Sequence, residues 1–208
     1  PDALPAPPYT SCLSQPPVHA IAVWRIWEAA GREGEESLSS TRAFLHDIYP
    51  RLFAWHRYLA TFRDPEQSGL VTIYHPWGSG TDNSPRWDTA LAAVEVGELP
   101  PYSRYDLQHV ADPSQRPTNT DYDRYLWLVK LIKMAGCDES TIYRSHPYLV
   151  KDVLSSAILV AANEALLEIA EVVGAPDEDR ELIAGWAERG RRDVPRRDHL
   201  LTRLWVAR

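Results

Sequence analysis

The chain has 208 residues, 44% hydrophobic and 25% charged, the balance of a soluble globular protein with room for one domain and a sizeable core. A net charge of −7 and a pI near 5.5 oppose a phosphate-tracking surface and exclude nucleic acid as an expected partner. No apolar run approaches ~20 residues and no charged-then-apolar leader opens the chain, so no membrane span or membrane partner is expected.

Helix signals dominate the chain in order. After Pro16-Pro17, the run Val18 to Ala30 places Val18, Ile21, Ala22, Ile26 and Ala29 at spacings of three and four, with Gly31 as its stop. A second helix follows Ser39-Ser40 and carries Phe44, Leu45, Ile48, Leu52, Trp55 and Leu59 on one face, with Pro50 expected to bend or split it. Leu70 to Tyr74 is a short β-branched run that fits a strand. A helix from Pro85 to about Val96 is expected next, with Ser84 as N-cap and Pro85 at the first helical position. Asp121 is read as the cap of the following helix, whose face carries Tyr125, Leu128, Val129, Ile132 and Ala135 before Gly136. Ser145 and Pro147 open a long helix ending at Gly174, apolar nearly all round from Ala157 to Ala162 and therefore buried on several sides. A last amphipathic helix spans roughly Asp177 to Gly190. The basic stretch Arg189 to Arg197 is interrupted by Asp193 and reads as a solvated face or connector.

The two cysteines, Cys12 and Cys137, stand far apart and in no motif, which suggests free buried thiols and a cytoplasmic protein. The seven His show no HExxH or paired ligand spacing, so neither a metal nor another cofactor is expected. The chain opens on Pro1 in a proline-rich stretch and closes on the apolar Leu204 to Arg208, so both ends read as cuts through a longer protein.

Tyr74-His75-Pro76-Trp77-Gly78-Ser79-Gly80-Thr81-Asp82-Asn83-Ser84-Pro85-Arg86-Trp87-Asp88 concentrates the chemistry. Gly78 and Gly80 permit positive φ and close approach to a ligand, while Pro76 and Pro85 stiffen both ends. Trp77 and Trp87 suit an apolar platform for a sugar ring. Glycosidic hydrolysis needs two carboxyl groups, one of which protonates the leaving oxygen, and Asp82 suits that role. A structural explanation competes: Asp and Asn before a helix are common caps, Asp88 offsets the helix dipole, and Arg86 can pair with Asp82 or Asp88.

The loop resembles the signature of glycoside hydrolase family 63, particularly its bacterial glucosylglycerate and mannosylglycerate hydrolases, whose segment reads close to HPWESGxDNSPRWD. Leu13 to Ala20, Thr120 to Tyr125 and Val150 to Leu154 agree as well. The resemblance implies an all-α (α/α)6 barrel, of which residues 1–208 form about half, and an inverting hydrolase acting on glucosylglycerate or a similar small sugar-glycerate. Asp82 then looks like the general acid, and Gln15, Trp77, Gly80, Arg116 and Tyr122 look like the lining of the sugar and glycerate pocket. Arg116 and Tyr122 suit a carboxylate anchor, because a planar guanidinium binds carboxylate bidentately.

Two departures matter. Gly78 stands where the family usually carries Glu, and the family's general base is a Glu C-terminal to this sequence. A non-catalytic sugar-binding remnant is therefore the alternative. With Arg86 and a helix N-terminus beside it, Asp82 is expected to be ionised near neutral pH. Half a toroid would leave the face from Leu166 to Val173 without partners, which favours a homo-oligomer.

Overall fold

The computed structural model describes residues 11–193. Among them the chain is all-α apart from two two-residue strands that pair with each other. It divides into two compact units, one built from residues 11–15 and 73–150, the other from residues 16–72 and 151–193.

The second unit holds four long helices: α1 (His19–Glu33), α2 (Glu35–Tyr58), α6 (Val153–Val173) and α7 (Asp177–Asp193). Their core is Ala20, Val23, Leu45, Tyr49, Leu52, Ala162, Leu166, Ile169, Ala170 and Ile183. Helix α1 runs through Gly31 and ends at Gly34, and it buries Ala20, Val23 and Ala30. Of the expected stripe, Val18, Ala22 and Ile26 are exposed, Val18 and Ile26 each at 49%, whereas Ile21 packs against the core and Ala29 is half-buried. Helix α1 is apolar on two stripes, and periodicity alone does not rank them. Helix α2 begins at Glu35, before the Ser39-Ser40 signal, and continues past Pro50, whose exposed position lets water reach the His46 carbonyl that the proline leaves without its helical partner. It closes in one π-helical turn, Leu59–Arg63.

Helix α6 starts later than expected. Ser145 ends a short helix, α5 (Glu139–Ser145), and Asp152 caps α6 by accepting the Leu154 and Ser155 backbone N–H groups. Gly174 ends it in the left-handed conformation (φ 65°). At 21 residues with a mean hydropathy of 1.6 in its most apolar window, α6 is by length and composition alone long and apolar enough to cross a membrane, although Asn163, Glu164, Glu168 and Glu171 interrupt its apolar run. Its position explains the composition instead: Leu166, Ile169 and Ala170 are fully buried among α1, α2 and α7, and Asn163 is buried with a polar partner. The face from Leu166 to Val173 is therefore packed, not left open. Ala157 and Ala161 look outward, so the middle of the helix is not buried all round.

The first unit contains α3 (Asp88–Ala92), α4 (Asn119–Met134) and α5, joined by loops with short 3-10 turns. The helix expected from Pro85 is a 3-10 turn, Pro85–Trp87, followed by only five α-helical residues, and Ser84 makes no side-chain cap. Thr118, not Asp121, caps α4: its hydroxyl accepts the Asp121 N–H at 3.2 Å and donates to the Asp121 carboxylate at 2.6 Å. The expected face of α4 holds, with Tyr125, Leu128 and Ile132 buried. Strand β1 (Thr72–Ile73) is what remains of the β-branched run Leu70 to Tyr74, and its partner β2 (Val150–Lys151) lies where the long helix was expected to have begun already.

Cys12 and Cys137 are joined in a disulfide across 125 residues, with Cα atoms 5.9 Å apart. This overturns the free-thiol reading and removes the premise of the cytoplasmic one. Sequence distance gave no hint, because α4 carries Cys137 back to the segment holding Cys12. Among the described residues there is no group of three or more His, Cys, Asp or Glu arranged to hold a metal ion.

Candidate active site

The loop from Tyr74 to Asp88 is pinned by its own short side chains. His75 is buried, and its ring accepts the Trp77 N–H while its other nitrogen reaches the Tyr125 carbonyl at 3.0 Å. Ser79, fully buried, donates to Pro76 O at 2.6 Å and accepts the Thr81 N–H. Arg86 donates to the Thr81 hydroxyl at 2.6 Å and lies with its guanidinium 4.1 Å from the Trp87 ring centre. Trp87 is 2% exposed, belongs to the core of the first unit and donates its indole N–H to Thr81 O, which rules it out as a sugar platform.

The two loop glycines act differently. Gly80 takes φ 71°, which lets the chain turn just before Thr81-Asp82. Gly78 is not in the left-handed region, and a Cβ there would lie 3.1 Å from the Ser14 carbonyl oxygen, a tight contact that a shift of a few tenths of an ångström in Ser14 would relieve. The approach of Ser14 brings Gln15 beside the loop, where its Nε2 donates to Trp77 O at 2.8 Å.

Trp77 is half-buried in an aromatic group, with ring centres 4.6 Å from His75, 5.7 Å from Tyr125 and 6.3 Å from Tyr122. Asp82 is exposed at the loop tip, its carbonyl accepting the Tyr125 hydroxyl at 3.3 Å. Loss of surrounding water pushes its carboxyl above the usual carboxylate value, opposed by its own backbone and by the Arg116 charge. Arg116 rather than Arg86 is the cation acting on it. Arg116 is partly exposed and bonds Asp106 through Nε at 3.2 Å. Tyr122 stacks on Tyr102 at 5.7 Å and lies under the Arg104 guanidinium at 4.4 Å.

All six residues singled out from the sequence thus fall in the first unit. Gln15, Trp77 and Tyr122 are linked by direct contacts, Arg116 is coupled electrostatically to Asp82, and Gly80 shapes the turn. Arg104, Asp106 and Tyr102 were missed, since nothing in their local sequence separates them from an ordinary polar loop. A groove of about 310 Å³ lined by Trp24, Arg25, Glu28 and Glu164 lies in the second unit and includes none of the six.

Residues 2–201 match the family described as Mannosylglycerate hydrolase MGH1-like glycoside hydrolase domain. The chain belongs to that family. It is 45% identical over 185 residues to the glucosylglycerate hydrolase of Mycolicibacterium hassiacum, covering 89% of this chain and 42% of that protein. The mannosylglycerate hydrolase of Thermus thermophilus is 43% identical, with 89% and 42% covered. The crystal structure of the GH63 mannosylglycerate hydrolase from Thermus thermophilus in complex with Tris and D-glycerate superposes with a TM-score of 0.82 at 41% identity. It covers 90% of this chain and 44% of that one. The chain therefore shares the all-α fold of these proteins while spanning about two-fifths of their length.

Proposed function

We propose that the chain forms part of an (α/α)6 catalytic domain that hydrolyses glucosylglycerate or a closely similar small sugar-glycerate with inversion. Asp82 acts as the general acid and protonates the glycosidic oxygen. The base that activates water is a carboxylate from the part of the family domain outside these 208 residues. Gln15, Trp77 and Gly80 shape the sugar side, and Arg116 and Tyr122 take the glycerate. One observation carries this reading. An exposed carboxyl, Asp82, sits at the loop tip, joined through its backbone to Tyr125 of the Trp77–Tyr122 aromatic group, while the partly exposed Arg116 guanidinium that acts on it can receive an anion. The relatives' names and the glycerate in the Thermus complex support glycerate as the aglycone.

The test is hydrolysis of glucosylglycerate and mannosylglycerate by the catalytically complete protein, read by NMR of the anomer released first. Asp82→Asn should lower turnover about 10²–10⁴-fold. Normal turnover in that variant removes Asp82 from the acid role. A retained anomer as first product refutes inversion.

A further inference from the structure

Arg104 and Asp106, which touch neither the loop tip nor the sugar platform, organise the surroundings of Arg116 and Tyr122. Only 9% of the Arg104 side chain and 13% of the Asp106 side chain is exposed. Arg104 grips Asp106 as a fork, Nε to Oδ1 at 3.2 Å and Nη2 to Oδ2 at 2.7 Å. Its remaining Nη1 donates to Pro117 O at 2.8 Å and to Asn119 Oδ1 at 3.0 Å, gripping the chain immediately after Arg116. Its guanidinium carbon lies 4.4 Å from the Tyr122 ring centre, a cation–π contact. The same Oδ2 of Asp106 that faces Arg104 accepts the Arg116 Nε at 3.2 Å.

Two consequences follow for Arg116. Its Nε is occupied by Asp106, and among the described residues its side chain bonds no other group, so its outer Nη1–Nη2 edge is presented to a ligand. Arg104 and Arg116 share the single Asp106 carboxylate, so this hydrogen-bonded trio carries one positive charge in excess, with Asp82 the carboxylate facing Arg116 from the loop.

We propose that Arg104 and Asp106 are positioning residues for recognition of the glycerate carboxylate. The half-buried fork fixes the Arg116 guanidinium edge and the Tyr122 ring in the orientation that receives the acid group, and so sets preference for an anionic aglycone over a neutral one. The proposal rests on the reading of Arg116 as carboxylate anchor given above.

The experiment compares KM and kcat of the catalytically complete protein for the glycerate glycoside and for the matching glycoside of glycerol, which lacks the carboxylate. Asp106→Asn and Arg104→Lys are tested beside Arg116→Ala. Lysine keeps the Arg104 charge but loses the fork. Both positioning variants should raise KM for the glycerate glycoside about 10-fold or more, with kcat and the glycerol glycoside little changed. If Asp106→Asn does not fold, Asp106→Glu keeps the charge, displaces the fork by one methylene and carries the same expectation. A positioning variant that leaves the KM ratio at the wild-type value, while Arg116→Ala raises it, overturns the relay and leaves the anchor standing. A ratio unmoved by Arg116→Ala overturns the anchor and the relay with it. A loss of kcat shared equally by both substrates refutes positioning in favour of a general structural role.

Discussion

His75 opens the site loop and is 1% exposed, and its hydrogen bonds dictate its protonation. The Tyr125 carbonyl, 3.0 Å from Nε2, can only accept, so Nε2 carries the hydrogen. Nδ1 accepts the Trp77 N–H at 3.0 Å, so it carries none. A second proton would displace the Trp77 N–H from this acceptor and place a charge in the core. Burial accordingly lowers the pKa from 6.5 to about 4, the Tyr125 bond opposing and nearby His146 adding to the shift. Because the folded value is depressed, the unfolded chain takes up the proton first, and stability is lost as pH falls from about 6.5 to about 4. The full shift is worth about 3 kcal/mol, of which about 2 kcal/mol disappears between pH 7 and pH 5. Urea denaturation of wild type and His75→Asn at pH 7, 6 and 5 measures this. Asn keeps an acceptor for Trp77 N–H and cannot titrate, so its stability should fall about 2 kcal/mol less over that range. Equal pH slopes in the two proteins, or an NMR pKa of His75 at its ordinary value, would refute the reasoning.

In the second unit, buried His56 holds Asn163 Oδ1 at 2.7 Å and its pKa is lowered by burial to about 4. Asn163→Ala strands that ring nitrogen and should cost about 1–3 kcal/mol by urea denaturation; a change under about 0.5 kcal/mol would show the bond to be immaterial. Gly69 sits at φ 74° with its hypothetical Cβ 2.6 Å from the Arg189 carbonyl, whereas Gly136 at φ 61° has open space. Gly69→Ala should therefore cost at least about 2 kcal/mol more than the roughly 1 kcal/mol of Gly136→Ala, and equal losses would contradict the contact. Replacing Cys12 and Cys137 by Ser should lower stability by about 2–5 kcal/mol in non-reducing thermal unfolding. Two titratable thiols in the denatured, unreduced wild type would disprove the bridge.

The helices themselves were legible wherever a stop or a strong face was written locally. Gly136 and Gly174 end α4 and α6 as read, and Tyr125, Leu128 and Ile132 line the buried side of α4. Errors arose where two local signals competed. Helix α1 carries apolar residues on both Val18-Ala22-Ile26 and Ala20-Val23-Trp27, and only packing against α2 and α6 chooses the second stripe. Ser145 and Asp152 both qualify as helix starts, and the decision fell to Asp152 because its carboxylate is buried and bonds two N–H groups. The disulfide lay beyond any local rule, since Cys12 and Cys137 meet only after α4 is in place.

Within the site, motif spacing located the loop but did not assign roles inside it. Trp77 and Trp87 are equivalent as letters and flank Asp82 symmetrically, yet their surroundings separate them. Trp87 turns its indole N–H back to Thr81 O and becomes core, while Trp77 is pinned through its backbone by His75 and Gln15, which leaves its ring half-buried beside Tyr122. Arg86 and Arg116 divide in the same way. The nearer arginine in sequence is held by the Thr81 hydroxyl and the Trp87 face, and the arginine thirty-four residues beyond Asp82 supplies the charge that acts on it. A side chain's partner therefore mattered more than its distance along the chain. Partners here come from α4 and the segments on either side of the loop, so the chemistry became readable only once those elements were placed around it.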